Sequence, residues 1–179
     1  MQERFKALFG VNKPVIAMVH LGALPGSPLF DSNNGLHGLI EGARSDLEAL
    51  QTAGVDAIMF GNENDRPYEL QVDPASTATA AYVIGQLAKD IKVPFGVNML
   101  WDPMATIALG AATGAQFVRE IFTGTYVSDM GHWNPNAGKA MRYRDRLGRS
   151  DMLLFYNISA EFAYSLDRRS LSDRARSTV

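Results

Sequence analysis

Short apolar runs and helical periodicities alternate along the chain. Residues 14 to 21, PVIAMVHL, are apolar and β-branched and are closed by the turn-forming LGALPGSP, which predicts a strand. Over residues 36 to 54, Leu36, Leu39, Ile40, Ala43, Leu47 and Leu50 recur at spacings of three and four, and Gly54 supplies a stop, so a helix follows. The same alternation predicts a strand over 56 to 62 and a helix over 74 to 91 opened by Pro74. A third strand over 94 to 100 precedes a helix over 102 to 114, with Asp102 as N-cap and Pro103 at the first helical position. A fourth strand covers 116 to 122. A long polar connection then leads to a helix at about 136 to 147 and a fifth strand over 152 to 158. In the last stretch Ser170 and Asp173 stand three apart, as in a capped helix start.

Strand and helix in regular succession imply parallel strands joined by right-handed crossovers. A (β/α) barrel and a doubly wound sheet both fit that rhythm. No G-x-G-x-x-G or G-x-x-x-x-G-K-[ST] follows the first strand, so a dinucleotide or P-loop fold has no support. The polar residues favour the barrel. His20, Asn62, Glu63, Asn98, Asp102, Arg119, Glu120 and Asn157 all stand at or just past the C-terminal ends of predicted strands, where barrel enzymes assemble their sites. A closed barrel needs eight strands and about 250 residues. The expectation is therefore a partial (β/α)8 TIM barrel, one domain over residues 1 to 179, with about five of the eight βα units present. The first and fifth strands would then be unpaired edges, prone to association and compatible with a homo-oligomer.

Composition narrows the function classes. A net charge of −2 and 20% charged residues give no reason to expect nucleic acid as a partner. The cluster Arg168, Arg169, Arg174 and Arg176 reads as a solvated helix face. The absence of cysteine excludes disulfides, thiolate metal sites and a cysteine nucleophile. No apolar run approaches the roughly 18 residues of a spanning helix, and MQERFKALFG is too polar for a signal peptide, so a cytoplasmic protein without an integral membrane segment is expected. His, Glu and Asp show no compact metal-ligand spacing such as H-E-x-x-H, and no metal is assigned. No nucleophile elbow is present, and none of the five strands carries a lysine suited to Schiff-base chemistry. The residues name no cofactor.

The candidate chemistry lies at the strand ends. His20 and Glu63 are candidate acid/base groups, and Asp129 in the Gly/Thr loop that follows the fourth strand is a third. Asn62, Asn98, Asp102, Thr123, Gly124, Thr125 and Asn157 are candidate ligand contacts. Adjacent strand residues point to opposite faces, so Arg119 and Glu120 cannot both face the barrel axis. Arg119 is expected inside, where its fork could hold a carboxylate or phosphate, and Glu120 against the helix layer; the plainer alternative is two structural ion pairs.

Four blocks, KPVIAMVHLGALPGSP, GVDAIMFGNENDRPY, VPFGVNMLWDP and GAQFVREIFTGTYVSDMG, together resemble the BtpA/SgcQ family, and NMLWDP and REIFTG its SgcQ-like side. The resemblance runs from about residue 12 onward and implies a TIM barrel of which this chain is the N-terminal two-thirds. It implies one of two functions. SgcQ-like members stand beside sugar-phosphotransferase components, which points to a small phosphorylated or carboxylated carbohydrate that the protein binds, with isomerisation, epimerisation or cleavage as the reaction classes to weigh. BtpA-like members are linked to photosystem I assembly or stability at thylakoid membranes, which points instead to a non-catalytic, protein-binding surface. Whether the chain is an enzyme stays open at this point.

Overall fold

A computed structural model describes residues 2–178. Its centre is a parallel sheet of five strands: β1 (Ile16–His20), β2 (Ala57–Gly61), β3 (Phe95–Asn98), β4 (Phe117–Glu120) and β7 (Leu153–Tyr156). They lie side by side in chain order, all parallel. The intervening helices are α2 (Gly35–Thr52), α3 (Pro74–Leu87), α4 (Pro103–Thr113) and α5 (Ala137–Arg146). All the expected strands and helices are present, each trimmed by a few residues at one or both ends.

The helix starts follow the local chemistry. Asp73 accepts the Ala75 N–H at 2.7 Å ahead of Pro74, and Asp102 accepts the N–H groups of Met104 and Ala105 ahead of Pro103. Gly114 ends α4 with φ +78°, a conformation glycine reaches without steric cost. Ser170 caps α6 (Leu171–Ser177) by accepting the Asp173 N–H at 3.1 Å.

The two faces of the sheet bury different partners. Val19, Ile58, Phe60, Val97 and Val118 point outward into a core shared with α2, α3, α4 and α5. On the other face Ala57, Met59 and Phe117 meet α1 (Gln2–Phe9) through Phe9, with Phe5, Leu8 and Phe155 around them. Phe9 stacks near Phe117 at 5.6 Å and Phe117 near Phe155 at 5.1 Å, making an aromatic floor. Gly96 sits over this floor, and a Cβ there would lie 2.2 Å from the Phe117 ring. The Arg4 guanidinium donates to the carbonyls of Ser150 and Asp151, tying α1 beneath the start of β7. Sheet order equal to chain order, with the four long helices on one face, makes the fold TIM-barrel-like rather than doubly wound.

Two elements are absent from the sequence reading, α1 and a small antiparallel sheet. The connection after β4 is not a plain loop: β5 (Tyr126–Ser128) and β6 (Gly131–Trp133) form an antiparallel hairpin, and β8 (Tyr164–Ser165) adds to β5. Three-residue strands carry too little alternation to register as strands, and β8 comes from a distant part of the chain. This small sheet stands beyond the C-terminal ends of β4 and β7 and walls one side of the site.

Candidate functional site

Above the aromatic floor, at the C-terminal end of the sheet, opens a small cleft of about 80 Å³. Glu63, Asn98, Arg119, Glu120 and Asn157 line it, with Tyr68, Leu100, Trp101 and Phe162 as its apolar walls. Four of the residues singled out from the sequence as site candidates thus come together: Glu63, Asn98, Arg119 and Asn157.

Glu120 is the unexpected member. Strand alternation assigns it to the helix layer, yet its carboxylate lies in the cleft, and the residue is only 3% exposed. The physical reason is its place as the last residue of β4, where the side chain can swing over the rim toward hydrogen-bond donors. Asn98 Nδ2 donates to Glu120 Oε2 at 2.6 Å, and the Ile121 N–H donates to Oε1 at 2.7 Å. The same Asn98 amide donates to the Arg119 carbonyl at 2.6 Å, which fixes its orientation. The alternative of two structural ion pairs is not realised: among the described residues neither Arg119 nor Glu120 has an opposite charge within salt-bridge distance. Arg119 occupies the inner-face row, paired with Phe155, and is solvent-exposed at the cleft.

Burial pushes the Glu120 carboxyl from its ordinary 4.5 up to about 7, against the opposing pull of the Ile121 N–H, the Asn98 amide, the Trp101 N–H and the Arg119 charge. A carboxyl poised near neutrality can both give and take a proton, the property a general acid/base needs. Glu63, in contrast, is exposed at the cleft mouth, where its carbonyl accepts from the Tyr68 hydroxyl at 2.7 Å.

The turn after β3 is built to serve this carboxyl. Trp101 adopts φ +71°, a left-handed conformation costly for a bulky residue, by about 1–3 kcal/mol. Its neighbours enforce it. The Leu100 N–H donates to Asn62 Oδ1 at 2.8 Å, the Met99 N–H donates to Thr106 Oγ1 at 2.8 Å, and Asp102 Oδ2 accepts the Val72 N–H at 3.0 Å. Asn62 and Asp102 therefore hold the backbone around the cleft, Asp102 as the expected N-cap. Trp101 itself packs edge-on to Trp133 at 5.1 Å and closes the cleft on the hairpin side.

The remaining candidates lie elsewhere. His20 is exposed at the end of β1, an edge strand of the five-stranded sheet. Asp129 is exposed at the turn of the β5–β6 hairpin. Neither lines the Glu120 cleft. Thr123 and Gly124 border a second cavity under α6, and Thr125 lines a separate hollow with Leu166 and Asp167. Among the described residues no three His, Cys, Asp or Glu side chains are grouped to hold a metal ion, and no helix is long and apolar enough to cross a membrane.

Glu120 carries a faint signal in the sequence: a second charge in an otherwise apolar strand. Its burial depends on Asn98, 22 positions earlier, which strand periodicity alone does not bring to it.

Comparison with known proteins agrees with this architecture. The BtpA family model matches residues 11–179. The sgc region protein SgcQ of Escherichia coli strain K12 is 50% identical over 97% of this chain. The photosystem I biogenesis protein BtpA of Synechocystis is 32% identical over 96%. The chain spans 65% and 60% of the lengths of these two relatives. Among solved structures, 7,8-dihydropteroate synthase from Vibrio fischeri superposes with a TM-score of 0.50 over 83% of this chain and 63% of its own, at 12% identity, a likeness of fold alone. On the matched family model and on its identity to SgcQ, the chain belongs to the BtpA family.

Proposed function

We propose that the five βα units form part of a (β/α)8 barrel that binds a small phosphorylated or carboxylated carbohydrate at the Glu120 cleft and moves a proton on it. The observation that carries this reading is the buried Glu120 carboxyl, poised at about 7, in no salt bridge among the described residues, and lining the same cleft as the Arg119 guanidinium. Arg119 offers a fork for an anionic group. Asn98 and the Ile121 N–H each donate to one Glu120 oxygen, which fixes the carboxyl in the cleft wall as the candidate proton-transfer group. Asn157 and Glu63 stand at the mouth as polar contacts for hydroxyl groups. A carboxylate that takes a proton from carbon next to a carbonyl and returns it on either face would isomerise or epimerise such a substrate. The 50% identity to SgcQ, against 32% to BtpA, supports the carbohydrate reading over the photosystem one.

The test is solvent exchange. The protein is incubated in D2O with aldose phosphates, ketose phosphates and sugar acids, and loss of carbon-bound proton signals is followed by NMR. Exchange in one substrate class, abolished in Glu120→Gln with saturable thermal stabilisation retained, is the expected result. Neither exchange nor stabilisation across the panel would remove the reading.

A second reading, a protein-binding surface, draws on Phe162 and Tyr164, which are 74% and 72% exposed beside the hairpin. It predicts that Tyr164→Ser, outside the cleft, abolishes function in the cell while solvent exchange at Glu120, if present, continues.

A further inference from the structure

We infer that the cavity between the loop after β4 and α6 is an oxyanion site, taking a phosphate monoester through Arg174. This site stands apart from the Glu120 cleft and holds whether or not that cleft carries out proton transfer.

Arg174 departs from the solvated helix face expected of the arginine cluster. Its guanidinium is turned inward, and its Nε is buried with no hydrogen-bond partner. Its Nη1 donates only to a neutral group, the Ser165 hydroxyl, at 3.2 Å. Two other arginines of the cluster are neutralised. Arg169 holds Asp167 through Nε and Nη2 and keeps that carboxyl down to about 2, and Arg176 pairs with Asp173 at 2.9 Å. Among the described residues Arg174 has no carboxylate within salt-bridge distance. A half-buried guanidinium loses hydration, and the neutral hydroxyls that face it return less than a directly bound anion would.

The cavity beside it can hold one. It encloses about 290 Å³, well beyond the roughly 30 Å³ share of a single water. Thr123, Gly124, Tyr126, Arg169 and Arg174 line it, with Asp167 the one carboxylate, already bound to Arg169. The charge left over is that of Arg174. Gly124 has φ +111°, and a Cβ there would meet the Tyr126 hydroxyl at 2.5 Å, so the loop can pass this close to the ring only as glycine. Tyr126 is buried, its hydroxyl donates to the Thr123 carbonyl at 3.1 Å, and burial raises its phenol while the nearby Arg174 charge opposes that rise. A fixed loop, a hydroxyl from Thr123 and an unneutralised planar guanidinium are the elements of tetrahedral oxyanion recognition. The recessed position between loop and helix selects a soluble small-molecule monoester.

The experiment uses inorganic phosphate as the probe, titrated calorimetrically at constant ionic strength with chloride as the balancing anion. Wild-type protein is expected to bind saturably, and Arg119→Gln, which removes any phosphate held in the Glu120 cleft, should retain a saturable site. In that Arg119→Gln background Arg174→Gln should bind at least tenfold more weakly, and Arg174→Lys, which keeps the charge without the fork, should fall between. Circular dichroism melts check that each variant is folded; if Arg174→Gln is not, Arg174→Lys and the wild-type titration carry the test. Wild-type protein without saturable binding would overturn the inference, as would Arg174→Gln that leaves binding in the Arg119→Gln background unchanged. Binding abolished by Arg119→Gln and kept by Arg174→Gln would place the anion in the Glu120 cleft, overturning this site while supporting the proposed function.

Discussion

Replacing Glu120 by glutamine tests whether burial sets the character of the cleft. In the folded protein the carboxyl is raised from 4.5 to about 7. The folded state therefore holds its proton over a pH range in which the unfolded chain has released it. The stability this proton contributes is fully present below pH 4.5 and is lost as pH rises through about 7. Over that window the loss amounts to about 3 kcal/mol. Glutamine does not titrate, so Glu120→Gln should lack this component of the pH dependence. It also cannot accept both the Ile121 N–H and the Asn98 amide, which costs about 1 kcal/mol at every pH. The two stability curves should consequently cross. Wild type should be the more stable by about 1 kcal/mol at acid pH, and the variant by about 2 kcal/mol above neutrality. Urea denaturation at intervals from pH 4 to 8, followed by far-UV circular dichroism, reads this directly. Parallel curves would show that Glu120 titrates alike in both states and would refute the assignment of a proton-holding carboxyl.

Two further substitutions probe the frame of the site. Gly96→Ala drives a Cβ to 2.2 Å from a Phe117 ring fully buried between Phe9 and Phe155, and should cost about 1–3 kcal/mol in urea denaturation. An unchanged midpoint would mean that the aromatic floor is loosely packed. Asp102→Ala removes the α4 cap and the acceptor for the Val72 N–H, and should cost about 2 kcal/mol, whereas Asp102→Asn should recover part of that. Loss of ligand affinity with full stability would instead make Asp102 a direct ligand contact.

The order of strands and helices, the caps at Asp102 and Ser170, and the rim on which polar residues gather were all legible in the sequence. Each depends on signals a few residues apart: apolar periodicity, a side chain reaching its own helix start, a charge at the end of an apolar run. The resemblance carried by blocks such as NMLWDP and REIFTG named the family on the same footing. Tertiary structure alone decided which polar residues meet. Alternation along β4 correctly put Arg119 on the inner face, but it also turned Glu120 outward, because periodicity says nothing about a side chain at a strand terminus with donors waiting across the rim. Those donors come from Asn98, and the left-handed Trp101 turn beside them is held by Asn62, on another strand's end. The orphaned Arg174 was likewise indistinguishable from its exposed neighbours, since its burial depends on the packing of α6 against the loop after β4. Local signals build the elements; the free energy of a buried charge is set by groups that only the folded chain brings within reach.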